Sequence, residues 1–114
     1  MKKMTKVIIP INENCLSTYL MKCNHYAVFT IYNSKIVQTE TITPDKSEIE
    51  DCSAWFKKLK ITDVVTYKVN PKLIHTLIQN KINVFVGAMQ QSPQLLIEEY
   101  LNGNLKSDDT ILLS

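Results

Sequence analysis

Apolar positions along the chain change their spacing from segment to segment, and each change predicts an element. From Lys6 to Ile11 the run is continuous after the lysine, as in a strand buried on both faces. Pro10, with no donor for a ladder, is expected to mark its end. Ala27 to Tyr32 and Lys35 to Ile42 are β-branched and aromatic, and only Asn33 and Ser34 separate them, which predicts a two-residue hairpin. Ser47 and Glu50 have the spacing of a capping box, and Ile49, Cys52, Phe56 and Leu59 then recur on one helical face up to Lys60. Asp63 to Tyr67 predicts a fourth, short strand. Asn70 and Pro71 are suited to open a second helix with Leu73, Ile74, Leu77 and Ile78 inward. Asn83 to Val86 is the fifth strand, left through Gly87. Ser92 and Pro93 open a third helix whose stripe is Leu95, Leu96, Tyr100 and Leu101, with Gly103 placed for a left-handed C-cap. The chain from Asn104 onward is expected to be loosely held.

This order, three strands followed by alternating helices and strands, predicts an α/β domain. Helical crossovers make the first, fourth and fifth strands parallel, and the second strand is antiparallel to the first. The result is a five-stranded mixed sheet in the order 3-2-1-4-5 with helices on both faces. Ligands bind outside the carboxyl ends of such a sheet where the winding reverses, here between the first and fourth strands. Three loops are expected to meet there: Asn12 to His25, Thr66 to Asn70, and Gly87 to Gln91.

With 114 residues the chain has room for one domain, taken as residues 1–106 with a tail over 107–114. Its 45% hydrophobic and 21% charged residues are those of an ordinary globular protein. A net charge of +2 with scattered lysines gives no basic stripe for nucleic acid. Lys57, Lys58 and Lys60 instead complement the end of the first helix. The early apolar run is too short for a signal peptide or a membrane span, and three cysteines without close pairing fit a reducing compartment, so the protein is expected in the cytoplasm.

Cys15, Cys23 and His25 share the first long loop, so soft ligands for iron, zinc or copper are candidates there. The seven residues between the two cysteines are not a diagnostic spacing, and half-buried cysteines beside a surface histidine is the alternative. Cys52 sits on an apolar stripe as a small hydrophobe, and His75 lies off its helix's inner face. Asn12, Lys68, Asn70 and Gly87 complete the candidate binding set, because the second and third helices begin near the same place and their amides favour a small anion. Catalysis is not expected. Cys23 and His25 form the sole adjacent thiol–imidazole candidate, no orienting acid is identifiable, and the first strand carries no carboxylate.

The stretches from Val7 to Glu13, Leu16 to Ser17, Tyr26 to Phe29, Lys35 to Val37, Asn70 to Pro71, Val84 to Ala88 and Glu99 to Leu105 resemble the dinitrogenase iron–molybdenum cofactor biosynthesis family, the nitrogenase accessory-factor type. The resemblance covers most of the chain. It implies a three-layer ribonuclease-H-like fold without nuclease chemistry, and a non-catalytic role as carrier of an iron–sulfur or iron–molybdenum cluster, with a protein partner in cofactor assembly. Where relatives show a histidine-phenylalanine-glycine-arginine run, this chain has Tyr19 to Lys22. Where they have a glycine-rich turn, it has Tyr67 to Asn70. Those departures define the alternative, a protein-interaction or regulatory module that has lost cluster binding. Oligomeric state is left open at this level.

Overall fold

A computed structural model describes residues 4–20, 23, 25–45, 51–105 and 107. The expected capping box of Ser47 and Glu50, the inward Ile49, Lys22, and the tail from Asp108 onward lie outside the described residues. The strands are β1 (Met4–Asn12), β2 (Cys15–Leu16), β3 (His25–Tyr32), β4 (Lys35–Ile42), β5 (Asp63–Val65) and β6 (Asn83–Phe85). The helices are α1 (Cys52–Leu59), α2 (Pro71–Gln79) and α3 (Pro93–Leu101). They form an open mixed sheet in the order β4-β3-β1-β5-β6, with β2 attached to the end of β1. β1 is antiparallel to β3 and parallel to β5, β4 is antiparallel to β3, and β6 is parallel to β5.

β1 runs two residues past Pro10, and hydrogen bonding explains why. The carbonyl of Pro10 accepts from the Ser17 N–H at 2.8 Å, and that of Lys6 accepts from the Thr62 N–H at 2.9 Å. Even-numbered residues of β1 therefore address the β5 and β2 side. β5 pairs with β1 only at Val7 and Ile8, so the donor that Pro10 lacks has no ladder acceptor waiting for it. β2 is an element the apolar pattern does not announce. It returns on β1 through Glu13 and Asn14, both left-handed (φ 53° and 65°), as are Asn33 and Ser34 in the β3–β4 hairpin (φ 55° and 62°).

Side chains alternate across the central strand and build two cores. Val7, Ile9 and Ile11 join Ala27, Phe29 and Ile31 beneath Leu96 and Ile97 of α3. Ile8 joins Tyr26 and Val28 beneath Trp55 and Phe56 of α1 and Leu77 of α2. Helices thus cover both faces. Their inner stripes are turned slightly from the sequence expectation: Ile78 is 58% exposed and Leu95 50%, while Ile97 is fully buried. Each exposed leucine or isoleucine sits at the flank of a stripe centred one residue away, where a helical rotation of about 100° decides between core and solvent.

Caps fix the helix ends. Asp51 accepts from the Ala54 N–H at 3.4 Å, Asn70 from Lys72 at 2.8 Å and Ser92 from Leu95 at 3.3 Å. α1 stops at Lys60, which is left-handed (φ 64°), and the Lys6 ammonium reaches the Leu59 carbonyl at 3.0 Å. After α3, Gly103 (φ 72°) donates to Tyr100 and Asn104 to Glu99, the paired bonds of a Schellman ending. The segment beyond is better held than the sequence implies: Leu105 packs on the α3-side core, and the Ser107 hydroxyl accepts from Val86 N–H at 2.9 Å.

Candidate functional site

The three loops expected to converge at the carboxyl end of the sheet do meet, and they bond to one another. Lys68 donates to Thr18 at 2.9 Å and accepts from Leu20 at 3.1 Å, Gly87 donates to Tyr67 at 2.9 Å, and Leu16 donates to Gln91 at 3.0 Å. The Gln90 side chain adds a bond to the Thr18 hydroxyl at 2.9 Å. Backbone groups that a ligand would use at the switch point are spent on closing it. Lys68 is half-buried beside Tyr19, Asn70 is occupied capping α2, and Gly87 (φ 81°) turns the chain out of β6.

The proposed ligand set Cys15, Cys23 and His25 is not brought together in the described structure. Among the described residues no three of His, Cys, Asp and Glu come together as metal ligands. The pleat is the cause. Ile11 pairs with both Leu16 and His25, which puts the His25 side chain on the α3 face, whereas Cys15 pairs with Asn12 one position on and belongs to the opposite face. Cys15 is exposed; Cys23 packs against the core under α1 and α2. Cys23 packs on the α1-side core and His25 lines a groove on the α3 face, so the thiol and the imidazole lie on opposite faces of the sheet.

His25 does belong to a cavity, a groove of about 730 Å³ on the α3 face that runs between the β3–β4 hairpin, the β1–β2 turn and the start of α3. Ile11, Ala27 and Phe29 form its floor. Its rim carries His25, Thr39, Thr41, Ser92, Gln94 and the carboxylate-bearing Glu13. The register puts Thr39 opposite Phe29 and Thr41 opposite Ala27, so threonine hydroxyls edge an apolar bed. One ring nitrogen of His25, Nδ1, is engaged with the Thr43 hydroxyl at 3.0 Å, which orients the imidazole and leaves Nε2 to the groove's chemistry. Ser92 and Pro93 bring the positive end of α3 to the same place.

Of the sequence-predicted site residues, His25 lines this groove, together with Thr39, Thr41, Ser92 and Gln94, which were not among them. The available signal was in β4 and the residue after it, where threonines at 39, 41 and 43 repeat with a period of two after a hairpin.

On the other face, two thiols and a phenol gather under α1. The Cys23 thiol lies 3.8 Å from the Leu20 carbonyl, to which the Tyr26 hydroxyl also donates at 2.5 Å, and the Tyr26 ring meets Trp55 edge-on at 5.1 Å. Burial pushes the Cys23 thiol and the Tyr26 hydroxyl up, and burial with the nearby Asp51 charge raises Cys52 from 9.0 to about 12. Cys52 is thus harder to ionise folded than unfolded. The stability this represents is whole below pH 9 and is lost as pH rises towards about 12. Urea titrations at pH 8 and pH 11 should show wild type losing more stability across that interval than Cys52→Ala. Equal losses would exclude Cys52 as a source of alkaline lability.

No known sequence family and no curated protein matches the chain. Its architecture, an open mixed sheet between helices, is that of a class of small α/β domains already known from solved structures. It is similar to the crystal structure of PH0822 (TM-score 0.81, 20% identity, covering 91% of this chain and 95% of that one). It is also similar to a proposed dinitrogenase of Methanocaldococcus jannaschii (TM-score 0.75, 17% identity, 95% and 97% covered). The apo form of the orange protein from Desulfovibrio gigas is a third such structure (TM-score 0.72, 12% identity, 95% and 96% covered). At identities of 20% and below, the likeness is one of fold.

Proposed function

We propose that this chain is a non-catalytic cytoplasmic binding domain of the nitrogenase-accessory type, which holds a metal-containing cofactor or cluster in the groove on its α3 face for transfer to a protein partner. The observation that supports this most is the groove itself: an apolar floor, hydroxyl and amide donors on its rim, a single oriented imidazole, and a helix N-terminus at its end. Fold likeness to a proposed dinitrogenase and to the orange protein agrees with such a role, as does the ribonuclease-H-like layering implied by the family resemblance.

The donor set narrows the cargo. None of the groove-lining residues is a cysteine, so a cluster built on protein thiolates does not fit. Hydroxyls, amides and a helix terminus suit a preassembled anionic cluster that carries its own sulfide or oxo ligands, with the His25 imidazole and the Glu13 carboxylate as the lining side chains able to bond a metal directly. Glu13 at the rim opposes negative charge and sets that end of the groove apart.

Anaerobic incubation with ferrous iron, sulfide and molybdate, followed by desalting, metal analysis and a visible spectrum, tests the proposal. Wild type is expected to retain metal with visible absorption. His25→Ala should lower retention about tenfold, the loss of one charge-assisted or coordinating contact. Thr41→Phe, which fills the groove from an exposed position, should abolish it. The separation of Cys15, Cys23 and His25 favours the second reading, an interaction module without cargo. A wild-type protein that emerges colourless and metal-free would establish that reading instead.

A further inference from the structure

The sheet has two edges, and they are treated differently. β6 is three residues long, and the Ser107 hydroxyl takes the Val86 N–H just beyond it. β4 is eight residues long, exposed at Lys35 and from Val37 to Thr41, and is the terminal strand of the described sheet. A long open edge rich in β-branched residues is a template for another strand, and natural proteins ordinarily blunt or cover one.

The direction of each free backbone group follows from the ladder. Even residues of β1 bond towards β5 and β2, so odd residues bond towards β3, through the partners Phe29 and Ala27. Alternation then turns Val28 and Thr30 to β4, where they meet Glu40 and Gln38. Thr39 and Thr41 are left with their N–H and C=O groups aimed outward. An irregularity where the register shifts between Thr30 and Ile31 bounds the flat stretch on one side, so the usable edge runs from Gln38 to Ile42.

We infer that β4 is a self-association strand, on which a second copy of this chain pairs antiparallel with its own β4 about a two-fold axis at Thr39, continuing the sheet through both molecules. Three symmetric registers use the outward groups of this stretch, and the one about Thr41 sets Glu40 against the apolar Ile42. Pairing Thr39 with Thr41 sets Glu40 against Glu40 at close range, which like charges disfavour. Pairing Thr39 with Thr39 sets Gln38 against Glu40 twice, and these two side chains already bond to one another within the strand. Charge therefore selects a self-complementary register. Because Thr39 and Thr41 also line the groove, the second strand lies along its open wall.

Sedimentation velocity on the metal-free chain over a concentration series reads this directly and is independent of any cargo. Wild type is expected to show a concentration-dependent dimer. Thr39→Pro removes an outward N–H without removing a bond to β3, and Thr39→Lys sets two lysines against each other at the axis. Each should weaken the dimer about tenfold or more while leaving the far-ultraviolet spectrum and melting temperature near wild type. A protein that sediments as a monomer throughout, or a dimer that neither variant weakens, overturns the inference.

Discussion

Replacing Asp63 with alanine is expected to destabilise the domain by about 2–4 kcal/mol, more than the same change at any other acidic residue described. Asp63 is 4% exposed at the start of β5. Its carboxylate accepts from the Asn83 amide at 2.8 Å, from the Thr62 hydroxyl at 3.3 Å and from the hydroxyl of Tyr100 on α3. One buried anion thus joins β5, β6 and α3. Burial, followed by the bond to Asp63, pushes the Tyr100 hydroxyl well above its ordinary range, so it remains a donor throughout the neutral region. Removing the carboxylate strands the Asn83 amide and the Tyr100 hydroxyl, while the Thr62 hydroxyl keeps the Lys6 carbonyl at 3.1 Å; Tyr100→Phe removes one donor and should cost about 1–2 kcal/mol. Urea unfolding followed by fluorescence gives both values. If Tyr100→Phe costs as much as Asp63→Ala, the tyrosine and not the carboxylate is the hub.

The same residue shows how far the sequence could be read. Asp63 opens a strand in the pattern, and nothing local marks it as buried, because its donors come from Asn83 and Tyr100, distant in sequence. Local signals performed well where the chemistry is local. The Asn33–Ser34 hairpin and the caps at Asn70 and Ser92 are properties of a few adjacent residues. Pro10 misled because a missing donor ends a strand only if a partner needs it, and the partner strand had already ended. Ile78 and Leu95 misled because apolar spacing gives the width of a stripe and leaves its flanks to packing.

The site was harder to read for a related reason. Grouping Cys15, Cys23 and His25 treated a loop as a place where side chains converge. A two-residue turn at Glu13 and Asn14 instead makes β2, and the strand pleat then sends Cys15 and His25 to opposite faces. The groove depends on β4 register and on where α3 begins, neither of which neighbouring residues encode. Likeness to solved structures is one of fold, whereas the position of the donors follows from this chain's own pairings.

Phe56→Ala is expected to have the largest effect on the fold, a loss of about 3–5 kcal/mol from cavity formation and lost transfer energy. Phe56 is fully buried under the sheet, and its ring lies 5.5 Å from Trp55, which in turn meets Tyr26. α1 is only eight residues long, too short to persist without tertiary contacts, and Cys52, Trp55 and Phe56 are its buried side chains. Removing the most enclosed of them weakens the helix and the Tyr26 contact together. Because small domains are stable by roughly 5–15 kcal/mol, the variant should melt about 10–20 °C lower and lose its near-ultraviolet tryptophan signal earlier than its far-ultraviolet sheet signal. Ile78→Ala, at a position that an apolar pattern alone would rank beside it, should lie within about 0.5 kcal/mol of wild type. Comparable losses for the two variants would mean that the α1 face is not the anchor of this half of the core.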